Sequence, residues 1–150
     1  MLKFSKKVEY ALITMVHMDT MFAHGEVASA KSLSGKFNIP PEIMGKVLQT
    51  LVRKGLMHSV QGVKGGYTIS RTLDKITVLQ IIEAIEGDIS LAPCIKDVEG
   101  ACSQYDYCGI QTPIGIIQNE LVSFFKKISL MDIKNRSTID IPDLKSEVIE

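Results

Sequence analysis

The chain has no tryptophan, only three cysteines, and a formal net charge of zero over 150 residues. No run of about 18 apolar residues occurs, which excludes a membrane-spanning helix by hydropathy. No serine–histidine–aspartate order, phosphate-binding glycine loop or pair of catalytic carboxylates is present, so nothing in the sequence supports an enzyme. The N-terminal stretch MLKFSKKVEYALITM lacks a small-residue cleavage site and alternates apolar with polar residues in helical rhythm. It reads as the first helix of a cytoplasmic protein, a compartment where thiols stay reduced.

Against these absences stand two concentrations. Cys94, Cys102 and Cys108 fall within fifteen positions, an odd number of thiols in one segment, with no other cysteine to pair with them. In a reducing compartment such a cluster points to metal binding or redox work. The neutral total also conceals an asymmetry. Residues 1–72 hold ten Lys and Arg against four Asp and Glu, while residues 73–150 hold seven against thirteen. A basic half joined to an acidic half suggests that one end meets a polyanion.

Periodicity predicts a helix over 6–21 capped by Ser5, with Val8, Leu12, Met15 and Val16 inward. A short helix over 30–37 has Ala30, Leu33 and Phe37 on one side. After the turn NIPP, Pro41 opens a third helix reaching about residue 54, ended by Gly55. Its inner face is Ile43, Met44, Val47, Leu48 and Leu51. Strands over 57–61 and 67–70 flank GVKGG, a hairpin tip. Thr77 caps a helix to residue 86 whose apolar face is Val78, Ile81, Ile82 and Ile85, and Gly87 ends it. Thr112 and Pro113 read as the cap and first-turn proline of a long helix to about residue 128. Along it Ile114, Ile117, Leu121, Phe124 and Ile128 repeat at gaps of three and four, a stripe suited to burial against a second chain. The expected organisation is a winged helix-turn-helix over 1–88, a cysteine loop over 89–111, a dimerisation helix over 112–133 and a flexible tail over 134–150. The fold class is mainly α with a small β-hairpin.

That order of elements suits DNA, because a helix enters the major groove with its outer face toward base edges while cations at its borders meet phosphates. Pro41, Glu42, Gly45, Lys46 and Gln49 face the groove on this reading. Lys36, Arg53 and Lys54 lie at the backbone, and Lys64 at the wing tip reaches the minor groove or its phosphates. A winged helix that binds protein instead is the bland alternative.

The segments KVEYALITM, IPPEIMGKVLQTLVRKGLMHSVQGVKGGYTISR and TVLQIIEAIEG, followed by three cysteines and a long helix, resemble the Rrf2 family of bacterial transcription regulators over residues 1–133. The resemblance implies a homodimer on a palindromic double-stranded DNA operator, with an iron–sulfur cluster (2Fe-2S or 4Fe-4S) in each subunit. Such a regulator changes its DNA affinity on cluster loss, oxidation or nitrosylation. It implies Cys94, Cys102 and Cys108 as three ligands. Structural zinc and redox-only thiols remain alternatives, although the Cys-x-x-Cys pair common at zinc sites is missing. One branch of the family carries a histidine three positions after the last cysteine. Here that position is Gln111, a poor ligand. The nitric-oxide-sensing branch instead supplies a carboxylate from the first helix of the partner, and the matching residue is Glu9. An ordinary solvated glutamate is the alternative for Glu9, and His17, His24 and His58 are rival ligands. Gln61 stands where some relatives carry a wing arginine. A regulator of the same fold without a cluster, controlled by thiol redox or a protein partner, is the second functional expectation.

Overall fold

The structure is a computed structural model and describes residues 2–96 and 102–135. Six helices and one hairpin follow in order: α1 (Lys6–Ala23), α2 (Ala30–Phe37), α3 (Pro41–Arg53), β1 (Met57–Val60), β2 (Gly66–Ile69), α4 (Val78–Glu86), α5 (Gln111–Lys127) and α6 (Leu130–Lys134). The winged helix-turn-helix expected from the sequence is present, and the fold is mainly α with one antiparallel pair of strands.

Helix α1 begins where Ser5 Oγ accepts from the Val8 amide. Its buried line is Val8, Ala11, Met15 and Met18, while the expected Leu12 and Val16 are only half-buried beside it. The helix packs on α3, α4, α6 and β2 and forms the centre of the core. Helices α2 and α3 are joined by a turn that places Asn38 at φ 53°, a left-handed conformation that asparagine tolerates better than most side chains. Buried Ser34 closes this turn twice: its hydroxyl donates to the Ile39 carbonyl at 2.6 Å, and its carbonyl accepts from the Ile39 amide at 3.0 Å. Helix α3 buries Met44, Val47, Leu48 and Leu51, each contributing about 1.5–3 kcal/mol of apolar burial. Ile43, expected inside, is half-buried.

The hairpin pairs Met57 with Ile69 and Val60 with Gly66. The sequence pattern did not reveal its third edge. Ala28 bridges Tyr67 through two backbone hydrogen bonds of 3.0 and 2.8 Å, tying the wing root to the chain entering α2. That approach leaves no room at Gly66, where a Cβ would lie 2.5 Å from the Ala28 carbonyl oxygen.

The C-terminal elements correct several expectations. Helix α5 starts at Gln111, so Thr112 is not its cap, and the residue before the helix, Ile110, makes no side-chain capping bond. Pro113 is the third helical residue. A first-turn N–H has no intrahelical acceptor, so the missing proline donor does not delay the start. Ile128 leaves the expected stripe altogether. It ends α5 in an extended conformation, is 6% exposed, and joins the chain's own core, where its carbonyl accepts from the Val78 amide at 2.9 Å. Leu130 returns the bond to Ile76 at 2.8 Å and is fully buried. The unexpected α6 follows, held by a reciprocal cap between Ser129 and Asp132. Those hydrogen bonds keep the Asp132 carboxyl below its ordinary range. Lys134, assigned to the tail by the sequence pattern, is helical and pairs with Asp19 on α1 at 2.6 Å. The rest of the expected tail, 136–150, lies outside the described residues.

Gly66→Ala is expected to lose about 1–3 kcal/mol of stability through the clash with Ala28. Urea denaturation of the variant beside the parent checks this.

Candidate functional site

Two groups of residues outside the core carry chemistry. The first is the outer face of α3. Four of its large apolar side chains are inward, which leaves Pro41, Glu42, Lys46, Gln49 and Arg53 exposed and Gly45 half-exposed on the opposite side. Lys36 on α2, Lys54 after α3 and Lys64 in the wing are exposed around it. Among the described residues the ion pairs are Lys6–Glu9 and Lys134–Asp19, so these five cations are engaged by no carboxylate there. Arg53 is steered along the helix surface by a 3.1 Å hydrogen bond from Nη2 to Thr50 Oγ1. An open cleft of about 410 Å³ between the end of α3 and the wing is lined by Gln49, Val52, Arg53, Ser59 and Tyr67. The sequence pattern singled out Gln49 and Arg53 but missed Ser59 and Tyr67. The signal was the strand register, which sets Ser59 opposite Tyr67. The wing tip also exposes Val63 entirely and Val60 at 44%.

The second group is the thiol segment. Cys94 lies in a 3₁₀ turn, Pro93–Lys96, that packs on α5, and Cys108 follows a second such turn, Tyr105–Tyr107. All three cysteines are free and half-buried, and Cys102 Sγ lies 3.6 Å from Gln104 Oε1. Three unpaired thiols outside the core are a soft donor set that suits iron–sulfur chemistry. Among the described residues of the single chain, however, no three histidine, cysteine or acidic side chains are gathered around one metal position. Residues 97–101, which join Cys94 to Cys102, lie outside the described residues.

The proposed fourth ligand and its rivals are separate from that segment. Glu9 is half-buried on α1, and its carboxylate pairs with Lys6 at 2.6 Å. That hydrogen bond, reinforced by the opposite charge, raises the Lys6 pKa. His17 packs edge-on against Phe37 at 5.2 Å, and burial, then the Lys36 charge, lowers its pKa. His24 Nδ1 lies 2.7 Å from the Thr20 carbonyl oxygen, and His58 stands exposed on β1. Gln111 is in the first turn of α5.

Helix α5 is the third unusual feature. Of its seventeen residues only Gln118 is buried, although Ile114, Ile116, Ile117, Leu121, Val122, Phe124 and Phe125 are apolar. Ile116 and Ile117 are 59% and 53% exposed. Ile114, Leu121 and Phe124 are half-buried. Beside the helix runs an apolar groove of about 340 Å³ lined by Leu2, Lys3, Phe4, Ile82, Ile89, Leu121 and Phe125.

Comparison with known proteins places these features in a family. Residues 4–136 match the Rrf2 family, described as iron-dependent transcriptional regulators. The transcriptional regulator IscR of Xenorhabdus nematophila is 27% identical over 95% of this chain and 85% of that protein. The regulator CymR of Bacillus subtilis is 31% identical over 67% of this chain and 72% of that protein. A solved structure of B. subtilis CymR, titled the global cysteine regulator, superposes with a TM-score of 0.69 at 25% identity, covering 92% of this chain and all of that one.

Gly45 offers a test that separates surface from scaffold. A Cβ there meets nothing within 4 Å, so Gly45→Ala is expected to stabilise the protein by about 0.5–1 kcal/mol through helix propensity. If α3 lies in a groove, operator affinity should fall in the same variant. Thermal melts and fluorescence anisotropy on one preparation measure both.

Proposed function

Because the chain belongs to the Rrf2 family of transcriptional regulators, we propose that it works as a homodimer on a palindromic operator, with affinity adjusted at its three-cysteine segment. The observation that carries this reading is positional. The thiols lie between α4, the last helix of the DNA-reading body, and α5, the helix whose apolar face its own chain covers only in part.

On the DNA side, Glu42, Lys46 and Gln49 meet base edges. Lysine suits guanine, glutamine suits adenine, and a carboxylate accepts from cytosine. Lys36, Arg53 and Lys54 meet phosphates, and Lys64 follows the wing to the minor groove. On the subunit side, Ile114, Ile117, Leu121 and Phe124 of α5, continuous with the groove beside Phe125, join the same face of a second copy. Such a regulator acts beside the chromosome, in the cytoplasm.

Cys94, Cys102 and Cys108 would hold an iron–sulfur cluster of two or four irons, with Glu9 of the partner subunit as the remaining ligand. When bound, the cluster supplies chemistry that responds to oxidants, nitric oxide and iron supply. The thiols bind as thiolates, so their free, half-exposed state keeps them available. Among the described residues the Glu9 carboxylate pairs with Lys6, an exposed contact of little strength in water. A second reading draws on the likeness to CymR: the same dimer, controlled at its thiols without a cluster.

Two experiments test this. Anaerobic purification with iron and sulfide analysis should give a coloured protein. Glu9→Ala should shorten the lifetime of the visible absorbance by about tenfold. A colourless anaerobic preparation with DNA binding that follows thiol oxidation would favour the second reading. Ile117→Arg should yield a monomer by sedimentation, with operator affinity reduced by about a hundredfold or more. A dimer with parental affinity would remove α5 from the subunit contact.

A further inference from the structure

Gln118 is 5% exposed, the one fully buried residue of a helix whose other side chains are half-buried or exposed. An amide in that position is costly unless both of its ends are bonded. Both are. Nε2 donates to the Ile89 carbonyl at 2.6 Å, and Oε1 accepts from the Leu91 amide at 3.0 Å. The two partners are two residues apart, so one side chain grips the backbone edge of the segment that leaves α4. Three residues beyond Leu91 is Cys94, in a turn whose Ile95 amide donates to the Ala92 carbonyl at 3.0 Å. The segment starts at Gly87, in the positive-φ region at φ 83°, which glycine adopts without the strain a side chain would bring. Without the amide grip, the path from Gly87 to Cys94 would have few fixed points on α5.

We propose that Gln118 is a positioning residue that holds Cys94 in fixed relation to α5, so that a change in the thiol segment is felt by that helix. The regulatory half of this statement rests on the function proposed above; the positioning half does not. Gln118 touches no thiol. It acts on the sensor through the backbone at Ile89 and Leu91, and it links the sensor to the helix that carries Ile117 and Leu121.

Two variants divide the grip. Gln118→Leu removes both bonds at similar volume. Gln118→Glu keeps the acceptor for Leu91 but sets a carboxylate against the Ile89 carbonyl. In metal-free, reduced full-length protein, Gln118→Leu should speed exchange of the Leu91 amide by about tenfold. It should also raise the rate of Cys94 alkylation by iodoacetamide relative to Cys108, measured by peptide mass spectrometry. Gln118→Glu should leave Leu91 protected and still raise Cys94 alkylation. For regulation, the ratio of operator affinities with and without cluster should shrink toward one in Gln118→Leu while cluster-free affinity stays at the parental value. Parental Leu91 exchange and Cys94 reactivity in both variants would overturn the positioning role. An undiminished affinity ratio despite altered Cys94 reactivity would overturn the link to α5. A parent protein whose affinity ignores the cluster would overturn the preceding functional reading, and the Leu91 and Cys94 measurements would then decide the positioning role alone.

Discussion

The fold depends on one asymmetric helix surface. Helix α3 puts Met44, Val47, Leu48 and Leu51 into a core built around α1, and that burial fixes its rotation about its own axis. A rotation of one residue, about 100°, would bring Gly45 and Gln49 toward the core and Val47 into water, or Lys46 toward the core and Leu48 into water, so the register is strongly set. With the inner face fixed, the outer face is presented as a rigid row of polar side chains. The Ser34–Ile39 closure of the turn and the Ala28–Tyr67 bridge then fix where α3 and the wing stand relative to each other. Specificity at a groove demands this, because a bidentate contact tolerates little displacement of the donor.

Helix α5 obeys the opposite constraint. Its own chain buries this apolar helix only in part, leaving Ile116 and Ile117 exposed, and exposed apolar surface on such a helix is a common mark of an interaction site. The helix is nevertheless held at its middle and at its far end. The Gln118 amide ties it to the segment leaving α4, and Ile128 with Leu130 ties its far end to Ile76 and Val78 at the start of α4. Helix α5 is therefore fastened twice to α4, once near each end of that shorter helix, while Ile116 and Ile117 stay exposed.

Much of this was legible in the sequence because its signals are local. Ser5, Thr77, Gly55 and Gly87 marked boundaries through hydrogen bonds or backbone angles that involve only near neighbours. The interior of α3 was clear because its period is unambiguous over four turns. What failed was long-range. Ile128 continued the three-and-four spacing of α5 in sequence, but pairing with Val78 pulls it out of the helix into the core. The cap formed by Ser129 and Asp132 is a readable signal, obscured by an expected helix running through it. Ser59 and Tyr67 carry no motif and join Gln49 and Arg53 only because the wing folds back on α3. Gln118 looked like any polar residue on an amphipathic helix, and only the return of residues 89–91 makes it a buried anchor. The thiol set was plain as composition, whereas among the described residues of the single chain no three metal-binding side chains are gathered around one position.

On the proposed function, the connections among these parts would carry a small change at the thiols to DNA. Helix α4 packs directly on α1 and α3, and Ser5 at the start of α1 hydrogen-bonds Glu86 at the end of α4. The start of α1, which carries Glu9 one turn later, therefore adjoins the point where the thiol segment begins. A hundredfold change in operator affinity corresponds to about 2.8 kcal/mol, a coupling of ordinary size for two linked sites. For two copies of α3 to grip a symmetric site, their separation must match the helical repeat of DNA. A shift at the joint between subunits is multiplied by the distance from that joint to α3, whereas a shift within the tightly packed body is resisted by the core. On the proposed function, helix α5 and the thiol segment beside it are where a small force would move two rigid reading heads, and the buried amide of Gln118 is the point at which those two features meet.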